Sequence, residues 1–150
     1  MPRRTALIVP VPEASPFYEG PPGVPGHVTI LFPFAADEEV DERALEELFG
    51  VHDAFEFTLD RIERFDDGTA WLAPEPSAPL RALIDAVWAR WPEYPPYEGT
   101  IADPTPHVTI TRLDVPLPIR CRADETWLLV EQPDGSFTRR RAFALGQGVA

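Results

Sequence analysis

The chain has 150 residues, 44% of them apolar, and a formal net charge of −12. That length suits one domain with an ordinary core, and the charge is opposite in sign to the basic stripe that a long nucleic-acid footprint needs. All 13 basic residues are arginine, which excludes lysine Schiff-base and lysine-nucleophile chemistry, and Cys121 is the single cysteine, which excludes an intramolecular disulfide and in practice a thiolate zinc site.

Residues 5–11 read as a buried strand ended by prolines, not as a signal peptide, because Pro10 and Pro12 cut the apolar run short. No stretch approaches the length of a membrane span, so the expectation is a soluble, cytoplasmic monomer. A loop rich in Pro and Gly, 13–26, leads to a strand that begins at His27, runs through Phe32 and stops at Pro33. Asp37 or Asp41 is placed to cap a helix whose stripe is Val40, Ala44, Leu45, Leu48 and Phe49, with Gly50 as its stop. Phe55, Phe57 and Leu59 alternate with polar positions in a half-buried strand over 54–62. Asp66-Asp67-Gly68 then turns the chain into a partner strand, 69–73. Leu80, Leu83, Ile84, Val87, Trp88 and Trp91 fall at helical spacing over 77–91, before Pro92. An irregular loop, 92–106, carries Tyr94 and Tyr97 and leads to a second strand headed by His107. Runs 126–130 and 137–145 flank Pro133-Asp134-Gly135 as a hairpin.

The two strands that follow the irregular loops share one tetrapeptide, His-Val-Thr-Ile, at 27–30 and at 107–110. Alternation along a strand puts His27 and Thr29 on one face and Val28 and Ile30 on the other, and His107, Thr109, Val108 and Ile110 repeat this. The pattern reads as an internal duplication with approximate two-fold symmetry. Strands lying side by side would bring two imidazoles and two hydroxyls into one groove. Such a pair suits concerted acid–base work on a phosphodiester, one imidazole neutral and one charged, with the hydroxyls on the non-bridging oxygens. The alternatives are chance motifs in a structural protein, or a two-His metal site, which here lacks a third ligand in either motif. His52, beside Asp53, has no comparable context and is expected at the surface.

At these residues the chain resembles the two-histidine phosphoesterase superfamily, and within it the bacterial 2′-5′ RNA ligase family proteins. His27/Thr29 and His107/Thr109 match its paired His-x-Thr/Ser hallmark. The likeness continues through GVPGHVTILFPF at 23–34, LAPEP at 72–76 with the following helix, YPPYEG at 94–99, and RAFALG at 141–146. The resemblance implies an α+β, bilobal, duplicated fold: two antiparallel sheets with outer helices and a central groove. It implies opening of 2′,3′-cyclic phosphates on nucleotides or RNA ends without metal or cofactor, and in some members reversible 2′-5′ ligation. It makes His27 and His107 the acid and base, in unassigned order, and Thr29 and Thr109 the phosphate binders.

Arg112 resembles a basic residue of some members and would neutralise phosphate, although its odd spacing from His107 turns it to the other strand face. Tyr97, and after it Phe34 and Tyr94, are placed to stack on a base at the groove mouth, with packing of their own loops as the competing role. The arginine run 139–141 lies on a strand, so its members alternate faces and mainly meet solvent. Acidity and the lack of lysine favour a small cyclic nucleotide or a phosphate end over long RNA. A module that binds such a phosphate without turning it over is the other functional reading.

Overall fold

The computed structural model describes residues 2–101 and 104–146, so that residues 102 and 103 of the 92–106 loop lie outside the described residues. Among the described residues there are eight strands: β1 Thr5–Pro10, β2 His27–Leu31, β3 Phe55–Arg64, β4 Ala70–Glu75, β5 Val108–Thr109, β6 Ile119–Ala123, β7 Glu125–Glu131 and β8 Phe137–Ala144. There are two α-helices, α1 Glu42–Gly50 and α2 Ala78–Arg90, and three short 3-10 turns at Pro12–Phe17, Asp37–Glu39 and Pro96–Gly99. All the strands join one antiparallel sheet in the order β6-β3-β4-β5-β2-β1-β7-β8.

That order corrects the expectation of two separate sheets. The strands carrying His27 and His107 pair with each other, Val28 opposite Val108, so hydrogen bonding runs unbroken across the centre. Three further strands lie on each side of this pair, but not as two consecutive stretches of chain. The β7–β8 hairpin adds to β1, and the β3–β4 hairpin adds to β5.

Strand parity sorts the side chains into two faces. On one, Leu7, Val9, Val28, Ile30, Leu72, Val108 and Leu128 are at most 2% exposed and meet Leu45 and Phe49 of α1 and Leu80, Leu83, Ile84 and Val87 of α2. The other face carries the two histidines and threonines. The Asp41 carboxylate caps α1 by accepting from the Ala44 N–H. Ser77 occupies the N-cap position of α2 but makes no side-chain capping bond.

Arg140 and Arg141 tie α1 to the β8 edge. Arg140 reaches Glu42 at 2.6 Å, and Arg141 reaches Glu42 at 3.6 Å and also pairs with Glu46. A register shift in β7–β8 between Leu128 and Leu129 admits the extra residue that lets neighbouring arginines serve one helix. Arg139 instead lies over Trp127, 4.6 Å from the ring centroid. The arginine run is thus a helix clamp rather than a merely solvated face.

Phe49 is fully buried, with its ring 5.9 Å from that of Phe143. Phe49→Ala is expected to lower stability by about 3–5 kcal/mol, read from the urea unfolding midpoint. A change under about 1 kcal/mol would mean the α1–β8 contact is not part of the core.

Candidate active site

Val28 and Val108 point into the core, so their neighbours His27, Thr29, His107 and Thr109 point the other way. Continuing the antiparallel register from the Val28–Val108 pair places His27 across from Thr109, and Thr29 across from His107. The two imidazoles therefore stand on one diagonal of the β2–β5 pair and the two hydroxyls on the other. Diagonal neighbours in such a pair are on the order of 7–8 Å apart, which leaves room for one phosphodiester between them.

Each histidine is held in the same way by its own entry loop. His27 Nδ1 lies 2.8 Å from the carbonyl oxygen of Pro25, and His107 Nδ1 lies 2.7 Å from that of Thr105. A carbonyl only accepts, so Nδ1 carries the proton in both rings and Nε2 is the nitrogen left for chemistry. The proline-rich loops thus fix both tautomers. Gly26 allows the first of them: a Cβ there would come within 2.8 Å of the Val11 carbonyl oxygen. That carbonyl belongs to the short 3-10 turn, to which Gly26 is tied by Val11 N–H→Gly26 O at 2.7 Å and Gly26 N–H→Ser15 Oγ at 2.9 Å.

The packing around the rings differs. Tyr18 meets His27 edge-on at 5.5 Å. Phe65 and Trp71 flank His107 at 4.9 and 6.0 Å, and these two rings stack on one another. Burial lowers the pKa of both imidazoles from the usual 6.5, and the carbonyl contacts oppose the shift. For His27 the charge of His107 lowers it further. Both rings are thereby favoured in the neutral form near neutral pH.

The sign of the linkage is fixed by these directions. A depressed imidazole pKa contributes stability that is present above about 6.5 and is lost as pH falls toward and through the lowered values. The melting temperature is thus expected to drop between about pH 7 and about pH 5, and His27→Gln is expected to flatten that drop. An equally steep drop in the variant would show that other groups cause it.

Tyr97 lines the groove. Its ring borders the cavities on both sides of the histidine pair. Its hydroxyl makes a hydrogen-bonding interaction with the Thr29 side chain that opposes the upward pKa shift from burial. Its backbone is left-handed, φ 52 and ψ 37, with Glu98 likewise at φ 57 and ψ 29. Two consecutive non-glycine residues in that region cost of order 1–2 kcal/mol each. The Tyr97 N–H→Phe32 O bond at 2.8 Å holds the turn against β2.

Two expected site residues are elsewhere. Phe34 is 6% exposed and packs edge-on against Trp91 and Tyr94 at 5.3 and 5.4 Å, so it belongs to the core, with Tyr94 beside it. The reason is a short turn after Leu31, in which the Phe34 N–H bonds the Thr5 carbonyl and directs the ring beneath α2's C-terminal end. Arg112 pairs with Asp114 at 2.6 Å, its guanidinium carbon lies 6.0 Å from the Phe17 ring centroid, and it lines neither groove cavity. His52 is half-buried in the turn after α1 and also lines neither.

Sequence reasoning missed Tyr18, Phe65 and Trp71. Trp71 was within reach: Leu72 is a core position, so strand parity alone turns Trp71 to the groove face, where it pairs with Thr109. Tyr18, in an irregular loop, carries no such signal. Among the described residues no group of three or more His, Cys, Asp or Glu is arranged to hold a metal ion.

One curled antiparallel sheet, helices on its outer face and paired His-x-Thr strands at the centre of the other, is the arrangement of a two-histidine phosphoesterase. The chain belongs to the 2′-5′ RNA ligase superfamily, whose family model matches residues 5–145. In three dimensions it is similar to Escherichia coli LigT. The complex of that protein with 3′-AMP aligns with a TM-score of 0.70 at 19% identity, covering 97% of this chain and 99% of that one. Its complex with NADP+ aligns with a TM-score of 0.68 at 20% identity over the same shares. A crystal structure of a phosphoesterase gives a TM-score of 0.69 at 20% identity, covering 98% of this chain and all of that one. At such identities the likeness is one of fold. No curated protein matches in sequence. No helix among the described residues is long and apolar enough to cross a membrane.

Proposed function

We propose that the chain is a metal-independent phosphodiesterase that opens 2′,3′-cyclic phosphates of nucleotides or RNA ends. The observation that carries this reading is the matched pair of imidazoles, each with Nδ1 anchored on a backbone carbonyl and Nε2 left for the groove. Neutral His27 takes a proton from water through Nε2 as the water oxygen bonds to phosphorus. The bond from phosphorus to one ribose oxygen breaks, and that oxygen receives the Nε2 proton of the His107 imidazolium. The product is a ribose phosphomonoester. The hydroxyls of Thr29 and Thr109 donate to the non-bridging oxygens as charge grows there, and Tyr97 orients the first of them. With a ribose 5′-hydroxyl in place of water and the roles unchanged, the same groups support 2′-5′ ligation, and with the roles reversed its back reaction.

The 3′-AMP complex of the similar fold supports a small phosphate nucleotide as the ligand here. The net charge of −12 favours that over long RNA. The two four-strand halves that meet between β2 and β5 fit an ancestral duplication within one domain, and we read the protein as a cytoplasmic monomer.

The test is turnover of 2′,3′-cyclic nucleoside monophosphates in excess chelator. Turnover that survives the chelator is expected. Well-folded protein that binds these nucleotides but never opens the ring would make it a phosphate-binding module instead.

A further inference from the structure

Two buried polar side-chain atoms have no hydrogen-bond partner among the described residues, Trp71 Nε1 and Thr126 Oγ1. A buried donor left unpaired costs the desolvation of that group, so such atoms are rare and need a physical reason. Thr126 is fully buried and lines neither groove cavity. Trp71 stands on the groove face, its ring stacked on Phe65 at 5.0 Å and set edge-on to His107 at 6.0 Å. Trp127 shows the ordinary arrangement, with its indole N–H donating to Glu125 at 2.5 Å.

Strand register says what stands opposite this indole. The Ile110 N–H→Ala70 O bond at 3.1 Å makes Ala70 and Ile110 a hydrogen-bonded pair. Trp71 and Thr109 are the next pair along, of the non-hydrogen-bonded kind. Opposed side chains come closest in such pairs, about 4.5–5.5 Å between Cβ atoms. The indole nitrogen is shielded from solvent, so its acceptor has to be a neighbouring side chain rather than the ligand itself. Phe65 has no acceptor. His107 has Nδ1 on the Thr105 carbonyl, and as the acid it carries a proton on Nε2 as well. Glu63, across from Trp71 on β3, is engaged by Arg61 at 2.9 Å. The Thr109 hydroxyl is left, and a hydroxyl accepts as well as donates.

Resting on the reading above that a phosphate sits between the imidazoles, we propose that Trp71 is a positioning residue for Thr109. Its indole N–H donates to Thr109 Oγ1 once that hydroxyl has turned its own proton to a phosphate oxygen. A bound phosphate fixes the hydroxyl proton on one side of Oγ1, which leaves a lone pair for the donor across the strand. Charge growing on the phosphate then strengthens both bonds of the chain from phosphate through Thr109 to Trp71. Trp71 is thus the counterpart of Tyr97, with one difference. Thr29 already has its partner in the free protein, whereas Thr109 gains its partner with the ligand. The unpaired N–H is a cost of the free groove that binding removes.

The experiment follows the indole N–H signals by NMR while inorganic phosphate is added, with saturation read from the ring signals of His27 and His107. The chain has four tryptophans, and the Trp71 signal is the one missing from Trp71→Phe. In the native protein and in Thr109→Ser, which keeps a hydroxyl, the Trp71 N–H proton is expected to move downfield as a hydrogen bond forms. In Thr109→Val at saturation it is expected to stay in place. A Trp71 signal that is still while the histidine signals move, or that moves equally in Thr109→Val, would overturn the role. Kinetics give a second measurement. Trp71→Phe keeps a ring and is expected to lower kcat about three- to tenfold at nearly native KM, with no further loss in Thr109→Val. An additive loss would make Trp71 a packing residue only. Silence of every ring signal would sink the phosphate site itself and this role with it. The titration needs no turnover, so failure of the phosphodiesterase reading is scored separately.

Discussion

His107→Ala loses cyclic phosphate turnover by about 10²–10⁴-fold, and His27→Ala does the same, but the two losses differ in what repairs them. The proposed assignment makes His107 the acid because His27 is the more enclosed ring and the readier to stay neutral. An acid is needed only when the departing oxygen is a poor leaving group. A nucleoside 3′-phosphate p-nitrophenyl ester, whose phenolate leaves without a proton, should therefore restore most of the turnover in His107→Ala. It should restore little in His27→Ala, since attack still needs a base. Rescue of His27→Ala instead would reverse the assignment. Equal failure of both with the activated ester would mean that the rings position the phosphate more than they move protons. The native pH profile should agree: burial lowers both titrations, so the optimum for kcat/KM lies on the acid side of about 6.5.

Thr29→Val and Thr109→Val each lower kcat by about 10²–10³-fold, the cost of losing one donor to the developing oxyanion. Valine keeps the β-branched shape that a strand favours, so the fold is left intact and the loss is chemical. The two are not equivalent. Thr29 is engaged by the Tyr97 hydroxyl, whereas Thr109 stands across from Trp71, which offers no hydroxyl. Tyr97→Phe should thus imitate part of the Thr29→Val loss and add little to it in the double variant. Stopped-flow or steady-state kcat values for the three proteins decide this. An additive double variant would mean that Tyr97 acts on the substrate directly.

The groove was legible because strand alternation is strictly local. His27 and Thr29 must share a face if 27–31 is a strand, and the core burial of Val28 and Ile30 fixes which face that is. The α2 stripe was equally plain, with Leu80, Leu83, Ile84 and Val87 all buried. Phe34 was misplaced because it lies just past the end of its His-x-Thr strand, where alternation no longer predicts direction, whereas strand parity had turned Arg112 away from the groove and only the resemblance brought it to the site. Past the strand ends the chain turns to satisfy contacts distant in sequence, Phe34 with Trp91 and Arg112 with Phe17. The β6 strand, Ile119–Ala123, was missed for a related reason. Its alternation is masked by prolines before it, and only pairing with β3 defines it.

By itself the sequence determined which groups are on offer for chemistry: two imidazoles and two hydroxyls in matched motifs, no lysine and no second cysteine. It also determined the parity that groups them, because a strand's two-residue period is a property of the backbone. Only the tertiary structure decided that β2 pairs with β5, which fuses the expected two sheets into one and sets imidazoles and hydroxyls on crossed diagonals. It alone decided that both histidines are buried enough to have their pKa lowered, and which residues wall the groove on either side of them. These are consequences of non-local pairing and burial, whose energies depend on partners far apart in the chain.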